Sequence, residues 1–368
     1  MATMNETGRL YLDIHVLQTL PPSCVNRDDV GMPKSCIYGG VQRARVSSQA
    51  WKHAVRGWFR EHGVETGVRS RSLTELLAGD LRDRCGMPED EAEARAKNVM
   101  VKVLKVAADT SAKGKEDKKG TIAFMSMKQI RAIANLINND PARADKADAA
   151  FCNEALKAAQ QGASSDILLF GRMYADNIDL NVDAAAEVAH AVSTHQVQQQ
   201  YDYFSAVEDF GHEGDAGAGH IGSKVFNSAT VYRYATVNLG EKSELIRFDR
   251  VNAAHIARNF LEAFVLSMPT GSVNSYANNS LPFYVETDLR TDMPVSFMPA
   301  FERAVHVDRD LGGYESPSRD ALEAYEENID SFYGGPADRA VLGREMAFDA
   351  LLAHTEEKIG QLLLRPHS

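Results

Sequence analysis

Along its first element the chain alternates: Leu10, Leu12, Ile14 and Val16 fall on one side, and Tyr11, Asp13 and His15 on the other. That period of two predicts a half-buried strand with a polar outer face. Pro21-Pro22, Asn26, Gly31, Pro33 and Gly39-Gly40 then mark a loop. Arg43 to Val46 fits a short strand, and Ser47 or Ser48 can cap a helix running to about His62. In that helix Trp51, Ala54, Val55, Trp58 and Phe59 recur at three- and four-residue spacing, which predicts a buried stripe. Gln49, Lys52, Arg56 and Arg60 recur at the same spacing on another face and predict a polar-basic ridge.

From Gly63 to about Gly162 the pattern changes to helices rich in Ala, Leu, Arg and Glu. A lysine-rich stretch, Lys113, Lys115, Lys118 and Lys119, interrupts them and reads as a loop containing Gly114 and Gly120. This is the signature of a helical insertion in a mixed sheet domain. Ile167 to Met173 is a short apolar segment, and Asp183 to Thr194 predicts an amphipathic helix through Val188, Ala189 and Val192. The tract Gln196 to Gly222 is polar and aromatic, then dense in glycine. Lys224 to Leu239 alternates as a long strand, with Val225, Ala229, Val231, Ala235 and Val237 on one face and Phe226, Tyr232 and Tyr234 on the other. Asn252 to Met268 and about Asp338 to Leu364 predict helices. The fold class expected is α+β.

Composition changes this picture mainly through charge. The 368 residues carry a net charge of −11, which argues against a nucleic-acid binder until the distribution is read. From Arg27 to Arg60 seven basic residues (Arg27, Lys34, Arg43, Arg45, Lys52, Arg56 and Arg60) face only Asp28 and Asp29. From Asp308 to Glu357 thirteen acids outweigh four arginines. Opposite potentials at the two ends suit head-to-tail stacking of copies. No apolar run approaches the roughly 20 residues of a membrane span, no leader pattern opens the chain, and a cytoplasmic location is expected. Cys24, Cys36, Cys85 and Cys152 lack any paired or zinc-ligand spacing.

Motifs for chemistry are sparse. Gly217-Ala218-Gly219-His220-Ile221-Gly222 matches the dinucleotide fingerprint in letters. A polar acidic stretch precedes it and a strand pattern follows, the reverse of the strand-then-helix context that binds a pyrophosphate. A flexible hairpin arm fits better. The eleven histidines show no metal-ligand spacing, so neither metal nor cofactor is expected. Asp28-Asp29 beside Arg27 is the one carboxylate pair in the basic loop. It leaves open metal-assisted cleavage of a phosphodiester, against the plainer reading of a turn. The basic ridge itself has a direct use: Lys and Arg neutralise phosphates, while Ser47, Ser48, Gln49 and the backbone N–H groups at the helix start can donate to phosphate or sugar oxygens.

These residues stand in a recognisable arrangement. The runs Pro22-Ser23-Cys24-Val25-Asn26-Arg27-Asp28-Asp29, Gly39-Gly40 and Arg43 to Lys52 resemble the N-terminus of the CasC family, RAMP-superfamily backbone subunits of the type I-E CRISPR Cascade complex. The resemblance resumes in family order at Gly171-Arg172-Met173, His190 to Val197, Tyr203 to Asp209 and Val231 to Ala235. It implies an RRM-type (ferredoxin-like) palm, a large helical insertion called the fingers, and a protruding β-hairpin thumb. The corresponding division is 1–62, 171–194 and 231–368 for the palm and C-terminal helices, 63–170 for the fingers and 195–230 for the thumb.

The same resemblance implies a non-enzymatic protein. Copies would stack along a CRISPR RNA beside other Cascade subunits, kinking the guide at intervals and presenting it to target DNA. Arg27, Lys34, Ser47, Gln49, Lys52 and Arg56, with Arg43 and Arg45 of the same basic segment, would hold the guide backbone. Met173 would pack near a kinked nucleotide, and Tyr203, Phe204, Ser205, Val207 and Ile221 would form the thumb surface against displaced bases. Lys113, Lys115, Lys118 and Lys119 would reach target DNA. Two rivals remain at this level: a related subunit that cleaves target RNA through an acid near Asp28, and a structural protein that oligomerises without nucleic acid.

Overall fold

The computed structural model describes residues 8–105, 122–206, 220–343 and 346–364. Its strands in chain order are β1 (Tyr11–Ser23), β2 (Ser35–Tyr38), β3 (Val41–Val46), β4 (Val68–Ser70), β5 (Ala123–Met125), β6 (Ala186–Val188), β7 (Ala191–Ser193), β8 (Gln200–Ala206), β9 (His220–Asn238), β10 (Tyr284–Arg290) and β11 (Asp338–Val341). Its helices are α1 (Ser48–Glu61), α2 (Leu73–Asp83), α3 (Glu89–Lys97), α4 (Met127–Asn139), α5 (Pro141–Lys146), α6 (Ala149–Gln160), α7 (Ser165–Phe170), α8 (Glu244–Asp249), α9 (Ala253–Leu266), α10 (Val273–Tyr276), α11 (Glu315–Tyr333) and α12 (Phe348–Leu364). The class is α+β, and no helix among the described residues is long and apolar enough to cross a membrane.

The chain divides into two compact units, the first formed by 1–58, 188–237 and 257–368. Its sheet runs β11-β10-β1-β9-β7-β3-β2, with β8 added on β9. The ladders β1–β10, β10–β11, β3–β7 and β7–β9 are antiparallel. Both faces of this sheet are covered. On one, Trp51 of α1 and Phe264 of α9 meet edge-on at 6.5 Å. The buried Arg233 guanidinium lies 3.7 Å over the Trp51 ring and 4.5 Å over Phe264. On the other, Tyr232 and Tyr234 pack with Phe297, Phe301 and Leu322.

The second cover overturns the expectation that β1 is half-buried, because Asp13 and His15 are fully enclosed. The Tyr234 hydroxyl donates to one oxygen of the Asp13 carboxylate at 2.9 Å, and the Val295 N–H donates to the other at 2.8 Å. Burial pushes the Asp13 carboxyl up to about 6 despite these donors. Alternation distinguishes two faces but cannot say whether the polar one meets water or a polar layer.

Two further expectations are corrected. The predicted amphipathic helix over Asp183 to Thr194 is instead the strands β6 and β7. Val192 pairs with Arg45 on one side and Tyr232 on the other, so sheet pairing outweighs a helical period carried by alanines. The predicted helix from Asp338 begins at Phe348, because Asp338–Val341 is an edge strand on β10.

The second unit, 59–187 with 238–256, is helical around Leu77, Leu81, Val99, Met100, Ile133, Ile137 and Phe151. Ser126 and Gln129 form a reciprocal capping box that starts α4. Gly171 there has φ +78°, and a Cβ on it would come 3.0 Å from the Val182 carbonyl oxygen. The next residue, Arg172, is buried and donates to the Leu180 carbonyl at 2.8 Å and to Gln129 Oε1 at 3.1 Å. This backbone turn and internal strut leave Met173 84% exposed. Lys113, Lys115, Lys118 and Lys119 lie outside the described residues, as does Val207.

Candidate nucleic-acid interface

The basic segment is built around Asn26. Its carbonyl accepts from the Lys34 N–H at 2.9 Å, and its side-chain oxygen accepts from the Ser47 N–H at 2.9 Å. The Arg45 N–H donates to the Lys34 carbonyl at 2.9 Å. The loop after β1 is thereby tied to β3 and the start of α1, where Ser47 Oγ accepts from the Ala50 N–H at 3.3 Å. Arg27 and Gln49 are exposed on this framework, and Lys34, Arg45 and Lys52 are half-buried. The Arg45 Nε donates to the Ser35 carbonyl at 3.3 Å.

Three predicted contacts, Arg43, Ser47 and Arg56, belong to the interior, Ser47 being only 5% exposed and used as the cap of α1. Arg43 is fully buried: Nη1 donates to the Ser193 carbonyl at 2.8 Å, Nη2 to Phe301 at 3.0 Å and Glu302 at 3.3 Å, and Nε to Tyr38 at 3.2 Å. Four carbonyls consume its donors, so its task in this conformation is to join β2, β3, β7 and the 298–302 turn. Gly39 closes the adjacent hairpin at φ +57°, and a Cβ there would sit 1.7 Å from the Glu302 carbonyl oxygen. Arg56 shares the helical ridge with Gln49 and Lys52, yet it is only 8% exposed. Helical spacing places it on the ridge. It does not place the ridge in water.

His190, quoted in the resemblance but given no role by it, borders this surface. The Ser48 N–H donates to its Nδ1 at 3.1 Å. His190 is exposed, yet partial desolvation, with Arg45 and Lys34 nearby, lowers its imidazole pKa from the usual value. A neutral ring accepting from the first turn of α1 keeps the strand β7 in register with that helix. Asn26 and His190 are therefore parts of the site that side-chain charge gave no reason to single out.

Asp28 is committed to its own turn. One carboxylate oxygen accepts from the N–H groups of Val30 at 3.1 Å and Met32 at 2.8 Å, and its own N–H donates to the Met32 carbonyl at 2.8 Å. These bonds are those of an Asx-type turn.

A second group of predicted residues lies on the hairpin of β8 and β9. Gln200 stands opposite Phe226, Tyr203 opposite Ser223, Phe204 opposite Gly222 and Ser205 opposite Ile221. Tyr201 and Tyr203 lie two apart on one face, 70% and 67% exposed. Phe204 lies on the other face over Gly222, where a Cβ would come 2.3 Å from its ring, and Lys224 sits 5.2 Å from the ring centroid. Tyr201 was missed by the sequence reading, although the Tyr-x-Tyr alternation carries the signal. At the base of this hairpin a hollow of about 430 Å³ is lined by His195, Gln196, Gln198, Ser228, Val305 and Tyr314, among others. His195 stacks on Tyr314 at 3.6 Å. The arrangement combines backbone-neutralising cations with solvent-facing aromatic planes, the two elements of sequence-tolerant binding to a single strand.

Comparison with known proteins places the chain. The family model described as CT1975-like protein matches residues 12–363, nearly the whole length. The chain belongs to the CT1975-like family. A solved structure described as "CRISPR RNA-guided surveillance complex, pre-nicking" contains a chain 30% identical to this CT1975-like protein at a TM-score of 0.78. That match covers 96% of this chain and 100% of the other. A second, described as "CRISPR RNA-guided surveillance complex", gives 26% identity and a TM-score of 0.58 over 95% and 99% of the two chains. No curated protein matches.

Proposed function

We propose that this chain is a guide-RNA-binding backbone subunit of a type I-E CRISPR Cascade complex, acting in the cytoplasm without catalytic activity of its own. The observation that carries the reading is the end-to-end match, at 30% identity, to a chain of an RNA-guided surveillance complex. The exposed surface supports it. Arg27, Lys34, Arg45 and Lys52 present cations around the start of α1, and Gln49 beside them can donate to a sugar or phosphate oxygen. Such contacts fix the path of a backbone and leave base edges free, so Watson–Crick pairing reads the sequence.

Tyr201, Tyr203 and Phe204 on the hairpin supply planes against which displaced bases stack, and Met173 offers an apolar contact at a kinked nucleotide. Copies stack along the guide and hold the intervening segments open to target DNA, with other Cascade subunits at the ends. The turn bonds of Asp28 favour a scaffold over a nuclease. Incubating the assembled complex with complementary RNA and a divalent metal tests this point. Intact RNA is expected, whereas regularly spaced cuts lost in Asp28→Ala would establish the catalytic alternative.

The reading is tested by reversing Lys34 and Lys52 to Glu together in the full chain, co-expressed with a CRISPR RNA. Loss of RNA-bound assembly with an unchanged circular dichroism spectrum is expected. Normal assembly on RNA would refute the assignment.

A further inference from the structure

The buried polar face of β1 holds a cluster that RNA binding does not use. In the β1–β10 ladder Asp13 stands opposite Asp288 and His15 opposite Glu286, and Asp288 in turn stands opposite Arg339 of β11. Asp13, His15, Glu286 and Asp288 are each completely enclosed. One ring nitrogen of His15, one carboxylate oxygen of Glu286 and one of Asp288 lie within 4.8 Å of one another. Arg339 is the neighbouring cation. It approaches Glu286 at 3.0 Å, Asp288 at 2.7 Å and Asp330 at 2.7 Å, and also contacts Glu326. One guanidinium therefore faces four carboxylates, with Asp13 adjoining as a fifth. Arg290 beside them is paired with Asp292 at 2.8 Å. The group gathers five carboxyl groups around Arg339 in a place where charge is costly to bury, and burial pushes the carboxyls of Asp13, Glu286 and Asp288 up from their ordinary range.

The second, independent feature is His15 itself. Its Nδ1 is engaged with the Tyr232 hydroxyl at 2.8 Å, and its ring stacks on Phe297 at 4.1 Å. Its Nε2 is buried with no hydrogen-bond partner. A buried imidazole whose Nδ1 is oriented by a phenol, and whose Nε2 is left without a partner beside two carboxylates, has the layout of a metal ligand with its supporting hydrogen bond. Ligand bonds of about 2.0–2.2 Å need donor atoms roughly 3–4 Å apart, so groups within 4.8 Å of one another need close by no more than roughly 1–2 Å.

We propose that His15 Nε2, Glu286 and Asp288 form a structural site for a divalent cation of the zinc class, tying β1 to β10 inside the first unit. Imidazole with carboxylates suits such an ion better than magnesium, which prefers an all-oxygen shell. His15 lies more than 270 residues from Glu286 and Asp288 in sequence, so no short-spacing motif announces the set. The site is independent of the RNA-binding reading, and either can fail without the other.

The test uses the full chain stripped with a chelator. Cobalt(II), a spectroscopic substitute for zinc, is titrated while visible d–d absorption is followed, and thermal melts are run with and without zinc. One ion per chain, a visible band and a melting rise on the order of 5 °C are expected, because a ligand that binds only the native state stabilises it. His15→Leu, which fills the same space, is expected to lose the band and the rise. Glu286→Gln is read in its place if the leucine variant does not fold. Absence of stoichiometric binding by the native chain, or an unchanged cobalt spectrum in the variant, would overturn the proposal.

Discussion

Replacing Arg43 with Ala should damage the fold more than the RNA contact. The side chain gives four hydrogen bonds to the carbonyls of Tyr38, Ser193, Phe301 and Glu302, and it is fully buried. Its truncation leaves at least two enclosed carbonyls without their donor, each costing about 1–3 kcal/mol, and adds a cavity the width of the lost guanidinium. The total is about 3–5 kcal/mol, which lowers the melting temperature by on the order of 10 °C in a unit of this size. Circular dichroism melts of the full chain measure this, and RNA carried through purification well below the melting point measures the contact. The variant is expected to melt early and to retain RNA while folded. If Arg43→Ala melts with the native protein yet loses its RNA, the guanidinium belongs to the nucleic acid and the packing argument fails.

Tyr201→Ala with Tyr203→Ala should weaken RNA binding about tenfold or more without shifting the melt, since each base stack is worth roughly 1–3 kcal/mol; filter binding with a single-stranded guide checks it. Gly39→Ala should destabilise by roughly 2–4 kcal/mol, because φ is +57° and the new Cβ would overlap the Glu302 carbonyl oxygen, and urea denaturation reads this directly. His195 accepts from the Thr230 N–H at 3.1 Å through Nε2, makes a second bond from Nδ1 to the Gln196 carbonyl at 2.8 Å, and burial holds its pKa below the usual 6.5. The unfolded state therefore binds the proton first as pH falls through about 6.5, so this residue's part of the stability is present above that pH and lost below it. The slope of stability against pH between about 5 and 6.5 should be shallower in His195→Gln than in the native chain. Removing Lys52 should reduce the salt dependence of single-strand binding by about 0.7 in the log–log slope, the contribution of one phosphate contact.

The helix α1 was legible because its apolar stripe and its cap are local signals. Trp51, Val55 and Phe59 are buried as their spacing requires. The long strand β9 was legible for the same reason, its alternation being matched by covers on both faces of the sheet. What the sequence could not disclose was which polar positions are enclosed. Arg43, Arg56, Asp13 and His15 read as surface because charge usually marks solvent. The burial of Arg43, Asp13 and His15 depends on segments more than 200 residues away, around Val295, Phe297 and Phe301. The strands β6 and β7 were hidden by alanine, which suits a helix locally but here lies between β3 and β9. Asn26 and His190 organise the basic surface through backbone groups, and a census of charges gives such residues no weight.

The central claim is that the chain lies along a guide RNA in repeated copies. Co-expression with a CRISPR RNA, followed by nuclease digestion of the purified particle, tests it most directly. The account predicts a large particle whose RNA is protected with cleavage at a regular spacing, and loss of that particle in the Lys34→Glu, Lys52→Glu double variant. A chain that assembles free of RNA, or RNA cut at random positions along its length, would contradict it.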